Sequence, residues 1–236
     1  MKRIPTITAQ QMARVDRLMI HHYRVTIVQM MEHDAVALVG VATKILKILK
    51  NKKIVVAFGS GGNGGGGLAA ARMFSNAGAK VSLVTSADIK RLTGPTAQMY
   101  KTCKTMGIKL VSPSSKIFNS ADLILDALLG YSVKGAARGK VAEIIELINT
   151  SQAKVLSNDL PSGLDPNKGS VHGPIVKANA TLTVALPKVG LFKSDANLYT
   201  GKLFLGDITV PRSAYTRLGI KVGDVFKGKS FVSINN

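Results

Sequence analysis

Phe58-Gly59-Ser60-Gly61-Gly62-Asn63-Gly64-Gly65-Gly66-Gly67-Leu68 is the stretch whose reading decides the fold. The β-type run Ile54-Val55-Val56-Ala57-Phe58 feeds it, and a small-residue helical run from Leu68 to Ala77 leaves it. Strand, glycine loop and helix in that order make a place where backbone N–H groups converge on an anion. The helix start adds partial positive charge, and missing Cβ atoms let a ligand approach closely. The flanks argue against a flexible linker, which is not bracketed by a buried strand and a buried helix. Gly59, Gly61 and Gly64 fit the spacing G-x-G-x-x-G, although a run this rich in glycine satisfies many patterns. No Gly-Lys-Ser/Thr closes it, so it is not a Walker A loop.

Outward from this stretch, strand and helix patterns alternate. Upstream, Thr8 to Gln11 reads as a capping box, and Met12, Val15, Leu18 and Met19 then share one helical face. His21 and His22 near that helix's end point different ways, which disfavours a paired metal site. A second helix is expected from about Thr26 to Leu49, with Glu32 as its carboxylate flanked by apolar residues, a candidate buried anchor. Downstream, strands are expected at 80–84, 109–111, 122–126, 154–157, 180–185 and 202–205. Helices are expected at 67–77, 94–106 and 139–150, with Gly78 and Gly107 as stops. Repeated βα units with short connections imply a mostly parallel sheet with helices on both faces. The expected organisation is one domain over residues 1–236, two N-terminal helices (about 8–49) packing on an α/β core (about 52–210).

Bulk properties bound the function. Of 236 residues, 46% are apolar, enough for a substantial core without staples. Cys103 is the one cysteine, so intramolecular disulfides are excluded, and it reads as packing. Polar residues at Thr6, Thr8, Gln10 and Gln11 interrupt any leader pattern, and no apolar run is long enough to cross a bilayer. A soluble, cytoplasmic protein without membrane partners is expected. The formal charge of +19 attracts polyanions and phosphorylated ligands. Its basic residues are scattered, the densest group being Lys44, Lys47, Lys50, Lys52 and Lys53, and few aromatics interleave with them. Nucleic-acid binding is therefore possible but not favoured.

Ligands of parallel sheets sit at the carboxyl ends of the strands. Three such ends carry polar groups: Asn63 in the glycine loop, Asp126 in Asp126-Ala127-Leu128-Leu129-Gly130, and Asp159 in Asn158-Asp159-Leu160-Pro161-Ser162-Gly163. One strand-end carboxylate reads as a turn anchor; several converging on one sheet edge read as a site.

These segments resemble the NAD(P)HX epimerase family, the YjeF N-terminal domain. That family carries G-x-G-N-N-G-G-D-G-L, D-A-hydrophobic-hydrophobic-G, D-hydrophobic-P-S-G and A-P-K-x-G. Gly59 to Leu68, Asp126 to Gly130, Asp159 to Gly163 and Leu186-Pro187-Lys188-Val189-Gly190 follow in that order. Met31-Glu32-His33-Asp34-Ala35 is similar to its M-E-N-A-G helix, and the closing Gly201 to Ile208 also fits. The resemblance implies a three-layer α/β/α Rossmann-like fold, commonly a homodimer. It implies epimerisation of NADHX and NADPHX, hydrated forms of the reduced nicotinamide cofactors, with a separate NAD(P)HX dehydratase as functional partner. It implies a potassium ion held at Asn63, Asp126 and Ser162, all oxygen-bearing, as a hard cation prefers. Substrate positions would be Gly62, Asn63, Gly64, Gly65 and Gly66, the loop Gly130, Tyr131, Ser132, Val133, Lys134, Gly135 and Ala136, and Asp159. Asp159 is the candidate for proton transfer and Lys134 an electrostatic partner of phosphate. Two departures stand out: Gly62 replaces the first Asn of the family loop, and Gly66 replaces its Asp. They leave open a non-catalytic nucleotide- or RNA-binding module on the same fold.

Overall fold

The computed structural model describes residues 4–132, 135–169 and 173–234. Helices α1 (Ala9–His21) and α2 (Ile27–Leu46) come first. Strand β1 (Lys53–Phe58), α3 (Gly62–Asn76), β2 (Lys80–Thr85), α4 (Gly94–Thr105) and β3 (Lys109–Leu110) follow. Next come α5 (Ser115–Asn119), β4 (Leu123–Ala127), α6 (Gly139–Asn149), β5 (Lys154–Asn158), β6 (Ala180–Val184) and α7 (Asn197–Thr200). The order closes with β7 (Lys202–Gly206), α8 (Arg212–Thr216) and β8 (Phe231–Ser233).

The strands form one sheet in the order β3-β2-β1-β4-β5-β6-β7-β8. All pairings are parallel except β7 with β8. The chain runs outward from β1 to β3 and then returns to β4 on β1's other side. This reversal opens a crevice at the carboxyl ends of β1 and β4, where such sheets bind ligands. Alternating side chains build the layers. Ile54, Val56, Phe58, Leu83, Leu125 and Leu156 pack under α2, α3 and α4. Val55, Ala57, Val84, Ile124 and Val155 meet Phe118 of α5 and Ile144, Ile145 and Ile148 of α6. The result is the expected three-layer, mostly parallel α/β/α arrangement.

Local chemistry sets the ends. The Thr8–Gln11 capping box is present, and a second one, Thr26 with Gln29, starts α2. Gly78 and Gly107 adopt φ of +82° and +76°, the left-handed geometry of a helix stop. Helix α2 ends at Leu46, short of the expected Leu49, because Lys47 already has φ +68°. The glycine run differs most from its reading as a loop. Only Gly59 to Gly61 turn; Gly62 through Gly67 are the first turns of α3. Their missing side chains serve packing: a Cβ on Gly64 would lie 2.0 Å from the Gly59 carbonyl oxygen, and one on Gly67 2.5 Å from Ala127 Cβ. Glycine thus lets α3 lie directly on the turn after β1 and on the end of β4. Helices α5, α7 and α8 and strand β8 had no strong sequence pattern, each being three to five residues long.

Candidate active site

The start of α3 faces the crevice. Gly65 N–H makes the first helical bond, to the Gly61 carbonyl at 3.1 Å. The N–H groups of Gly62, Asn63 and Gly64 precede it and have no backbone partner among the described residues, as a 15-residue helix leaves at its N-terminus. Gly61 and Gly62 are exposed, and a Cβ on Gly61 would meet nothing within 4 Å. Gly64, Gly65 and Gly66 are buried, and Gly65 lies against Met31 and Thr96. The open part of the cradle is therefore Gly61 to Asn63.

Beside it, β4 ends in Asp126, wholly buried. Its carboxylate accepts from Ser157 Oγ at 2.8 Å, Ser162 N–H at 2.9 Å, Ser162 Oγ, and Leu128 N–H at 3.3 Å. The β4–β5 register, Asp126 opposite Ser157, makes this contact. Burial raises the Asp126 pKa, and the bonds from Ser162, Ser157 and Leu128 only partly offset it. Ser162 Oγ also accepts from Leu129 N–H at 2.9 Å, while Asn63 Nδ2 donates to the Leu129 carbonyl at 2.8 Å. Asn63, Asp126 and Ser162, 99 positions apart at their extremes, thus meet around the Leu129 peptide.

No cationic side chain pairs with Asp126 among the described residues. A buried carboxylate with neutral donors only, ringed by the Asn63 amide, the Leu129 carbonyl and the Ser162 hydroxyl, fits a hard cation that oxygen ligands hold. Groups of three or more His, Cys, Asp or Glu with metal-site geometry are absent among the described residues.

Asp159 closes the other side. It has φ +65°, a region Asp tolerates better than most residues, and its N–H bonds the Leu182 carbonyl at 2.7 Å. Its Oδ2 accepts from Tyr131 N–H at 3.2 Å, tying β5 to the Gly130–Ala136 loop. Its Oδ1 accepts from the Lys188 ammonium, which also donates to the Val184 carbonyl at 3.0 Å. Lys188 is wholly buried and lies 5.7 Å from the Tyr131 ring centroid. The Tyr131 hydroxyl in turn bonds Asp16 of α1. Burial raises the Asp16 pKa; burial and the neighbouring Asp16 charge raise that of Tyr131. Ser132 and Gly135 of the loop are exposed, and Val133 and Lys134 lie outside the described residues.

Sequence reading missed three of these groups. Lys188 stood in a recognised motif without a role. Asp16 lay on a polar stretch of α1. Asp34, rather than Glu32, is the buried carboxylate of α2: Glu32 is partly exposed and ion-paired with Arg72, whereas Asp34 is 8% exposed. The signal was there, since Asp34 follows Met31 by three and precedes Leu38 by four, on the apolar stripe. Burial pushes the Asp34 pKa up to about 7, against the lowering bond from Asn158. Cys103 is buried, donates to the Leu68 carbonyl at 3.2 Å, and has its thiol pushed up to about 11 by burial. Packing is its role.

A helix start open to anions, set at the topological switch of a parallel sheet and flanked by strand-end carboxylates, defines a Rossmann-like nucleotide-binding protein. The family model described as YjeF-related protein N-terminus matches residues 28–190, and the chain belongs to that family. It is similar to a protein named NAD(P)H-hydrate epimerase from Dehalogenimonas lykanthroporepellens, 37% identical over 92% of this chain and 87% of that relative. A second relative of that name, from Rhodopirellula baltica, is 30% identical over 89% of this chain and 86% of its own length. A protein named bifunctional NAD(P)H-hydrate repair enzyme Nnr, from Moorella thermoacetica, is 33% identical over 87% of this chain but only 41% of its own length. Among solved structures, yeast ynu0 has the same fold, with a TM-score of 0.84 at 19% identity, covering 98% of this chain and 100% of that one.

Proposed function

We propose that the protein is an NAD(P)HX epimerase, interconverting the R and S forms of hydrated NADH and NADPH in nicotinamide nucleotide repair. One observation carries this reading: Asn63, at the open start of α3, gathers with Asp126 and Ser162 around Leu129, while Asp159, two positions along from Leu129 through its bond to Tyr131 N–H, pairs with Lys188. Epimerase relatives of matching length support it.

The chemistry suits these groups. The substrate's hydroxyl-bearing ring carbon also carries the ring nitrogen. A proton delivered to the hydroxyl lets it leave as water, and the nitrogen lone pair holds the resulting cation. Water returns on either face and gives its proton back. Asp159 is the proton-transferring group of this reading, and the wholly buried Lys188 ammonium, bonded to its Oδ1, fixes its place. The N–H groups of Gly62 and Asn63 receive a substrate phosphate. The Tyr131 peptide, held by Asp159, fixes the start of the substrate segment at Gly130 to Ser132.

A potassium ion belongs to the same reading, held by Asn63, Asp126 and Ser162. When bound it supplies positive charge against the buried Asp126 carboxylate. The substrate is NADHX or NADPHX, and an NAD(P)HX dehydratase is the functional partner, a reading supported by a relative named bifunctional NAD(P)H-hydrate repair enzyme. A homodimer in the cytoplasm completes the reading; no helix among the described residues is long and apolar enough to cross a membrane. Sedimentation velocity tests the dimer.

Separated R-NADHX, mixed with the protein, should convert to S-NADHX faster than it does spontaneously. Conversion at the spontaneous rate, with RNA retained at physiological salt, favours instead the binding-module reading that the +19 charge suggests.

A further inference from the structure

Helix α3 has no side chain at Gly66, and α2 fills the gap. A Cβ built on Gly66 would lie 2.1 Å from Asp34 Oδ2 and 3.1 Å from Asn158 Nδ2. Asp34 Oδ2 accepts from Asn158 Nδ2 at 2.8 Å, and the same Nδ2 lies 3.5 Å from the Asn63 carbonyl oxygen. Asn158 ends β5, one residue before Asp159, and is 1% exposed. The remaining oxygens, Asp34 Oδ1 and Asn158 Oδ1, are buried without a hydrogen-bond partner among the described residues. No cation pairs with Asp34 among the described residues.

For stability alone this arrangement is a poor choice. Apolar residues of similar size in place of a buried, half-satisfied polar pair are usually neutral or better. Polar groups kept at such a disadvantage point to a role other than cohesion. Their placement says which one. Asp34 reaches Asn158, and Asn158 reaches the Asn63 main chain and directly precedes Asp159, so the far end of that chain of contacts belongs to the site. The departure at Gly66 also changes meaning. Where the resembling family carries an aspartate on α3, this chain brings a carboxylate into the same gap from α2.

We propose that Asp34 is a positioning residue for the site: its carboxylate, delivered from α2 into the space beside Gly66, holds Asn158 and through it the Asn63 carbonyl and the end of β5 that carries Asp159. The kinetic part of this inference rests on the epimerase reading.

The test compares the wild type with Asp34→Leu, Asp34→Asn, Gly66→Asp and the exchange Asp34→Ala/Gly66→Asp, reading melting temperature and the kcat and KM for R-NADHX. Asp34→Leu should melt at or above the wild type yet lose about tenfold or more in kcat with KM changed under about threefold. Asp34→Asn, which still offers an oxygen to Asn158, should recover most of that loss. Gly66→Asp alone should melt lower, because two carboxylates compete for one space. The exchange should recover both melting temperature and kcat relative to Gly66→Asp, a non-additive result expected of residues sharing one space. Full kcat in Asp34→Leu, or an exchange no better in melting temperature than Gly66→Asp, overturns the role of Asp34. A wild type no faster than the spontaneous reaction overturns the epimerase reading instead, and the melting temperatures of the exchange set then decide Asp34 alone.

Discussion

The Lys188 ammonium, 0% exposed, is bonded to the Asp159 carboxylate, 4% exposed, at the end of β5. A buried charge left without its partner is strongly destabilising, by about 3–5 kcal/mol. Lys188→Met should therefore lower the melting temperature by about 6–20 °C, taking about 2–4 °C per kcal/mol for a chain of this size. Lys188→Met/Asp159→Asn, which keeps a residue that tolerates positive φ, should regain part of that stability without regaining turnover. Asp159→Asn should lose about 100-fold or more in kcat, the usual share of a proton-transferring group. Thermal unfolding and R-NADHX conversion check these; an Asp159→Asn variant with full activity removes the assigned role.

Asp34 makes stability depend on pH with a definite sign. Its folded pKa of about 7 lies above the ordinary carboxylate value of about 3.9. Between those values the folded chain holds a proton that the unfolded chain has released. Its contribution therefore falls as pH rises from about 4 to 7 and is level outside that window. Urea unfolding at several pH values should show Asp34→Asn flattening this decline, so that its advantage over the wild type grows toward pH 8. A difference between the two proteins that does not change with pH contradicts the assignment.

The oxygen cluster around Leu129 predicts a specific ion response. Exchanging potassium for tetramethylammonium should lower the wild-type melting temperature and activity. Asp126→Asn removes the charge that the ion opposes and should be indifferent to that exchange. Equal melting temperatures of the wild type in both salts would argue against an ion at Asn63, Asp126 and Ser162.

Two glycines of the central stretch should respond oppositely to alanine. Gly61 has φ −87° and open space around its Cβ position, so Gly61→Ala should change stability by no more than about 0.5 kcal/mol. A Cβ on Gly64 meets the Gly59 main chain at 2.0 Å, which no rotamer relieves. Gly64→Ala should cost about 3 kcal/mol or more. Denaturant midpoints compare them directly.

The layered sheet was legible because its strands are apolar runs bounded by Gly78, Gly107 and similar stops, and because their carboxyl ends carry the polar residues. Asn63, Asp126, Asp159 and Ser162 were readable from motif order, and the structure brings them together. Lys188 was not, because burying a lysine depends on Asp159, Thr183 and Val184 meeting it from β5 and β6. The pairing of Asp34 with Asn158 spans 124 positions and has no local signature. Glycines 62–67 look like a loop in isolation. Only the close approach of Gly59, Ala127 and Met31 explains why a helix tolerates so many.

The segment before α1 has a bearing on how the protein can be handled. Ile7 N–H bonds the Pro187 carbonyl at 2.9 Å, and Val189 N–H bonds the Ile7 carbonyl at 3.1 Å, so Lys188 is bracketed by main-chain contacts to Ile7. A truncation that removes Ile7 strips away that brace while leaving the sheet whole. Shortened versions should thus look well folded by circular dichroism yet work poorly, and affinity handles are better joined at the opposite terminus.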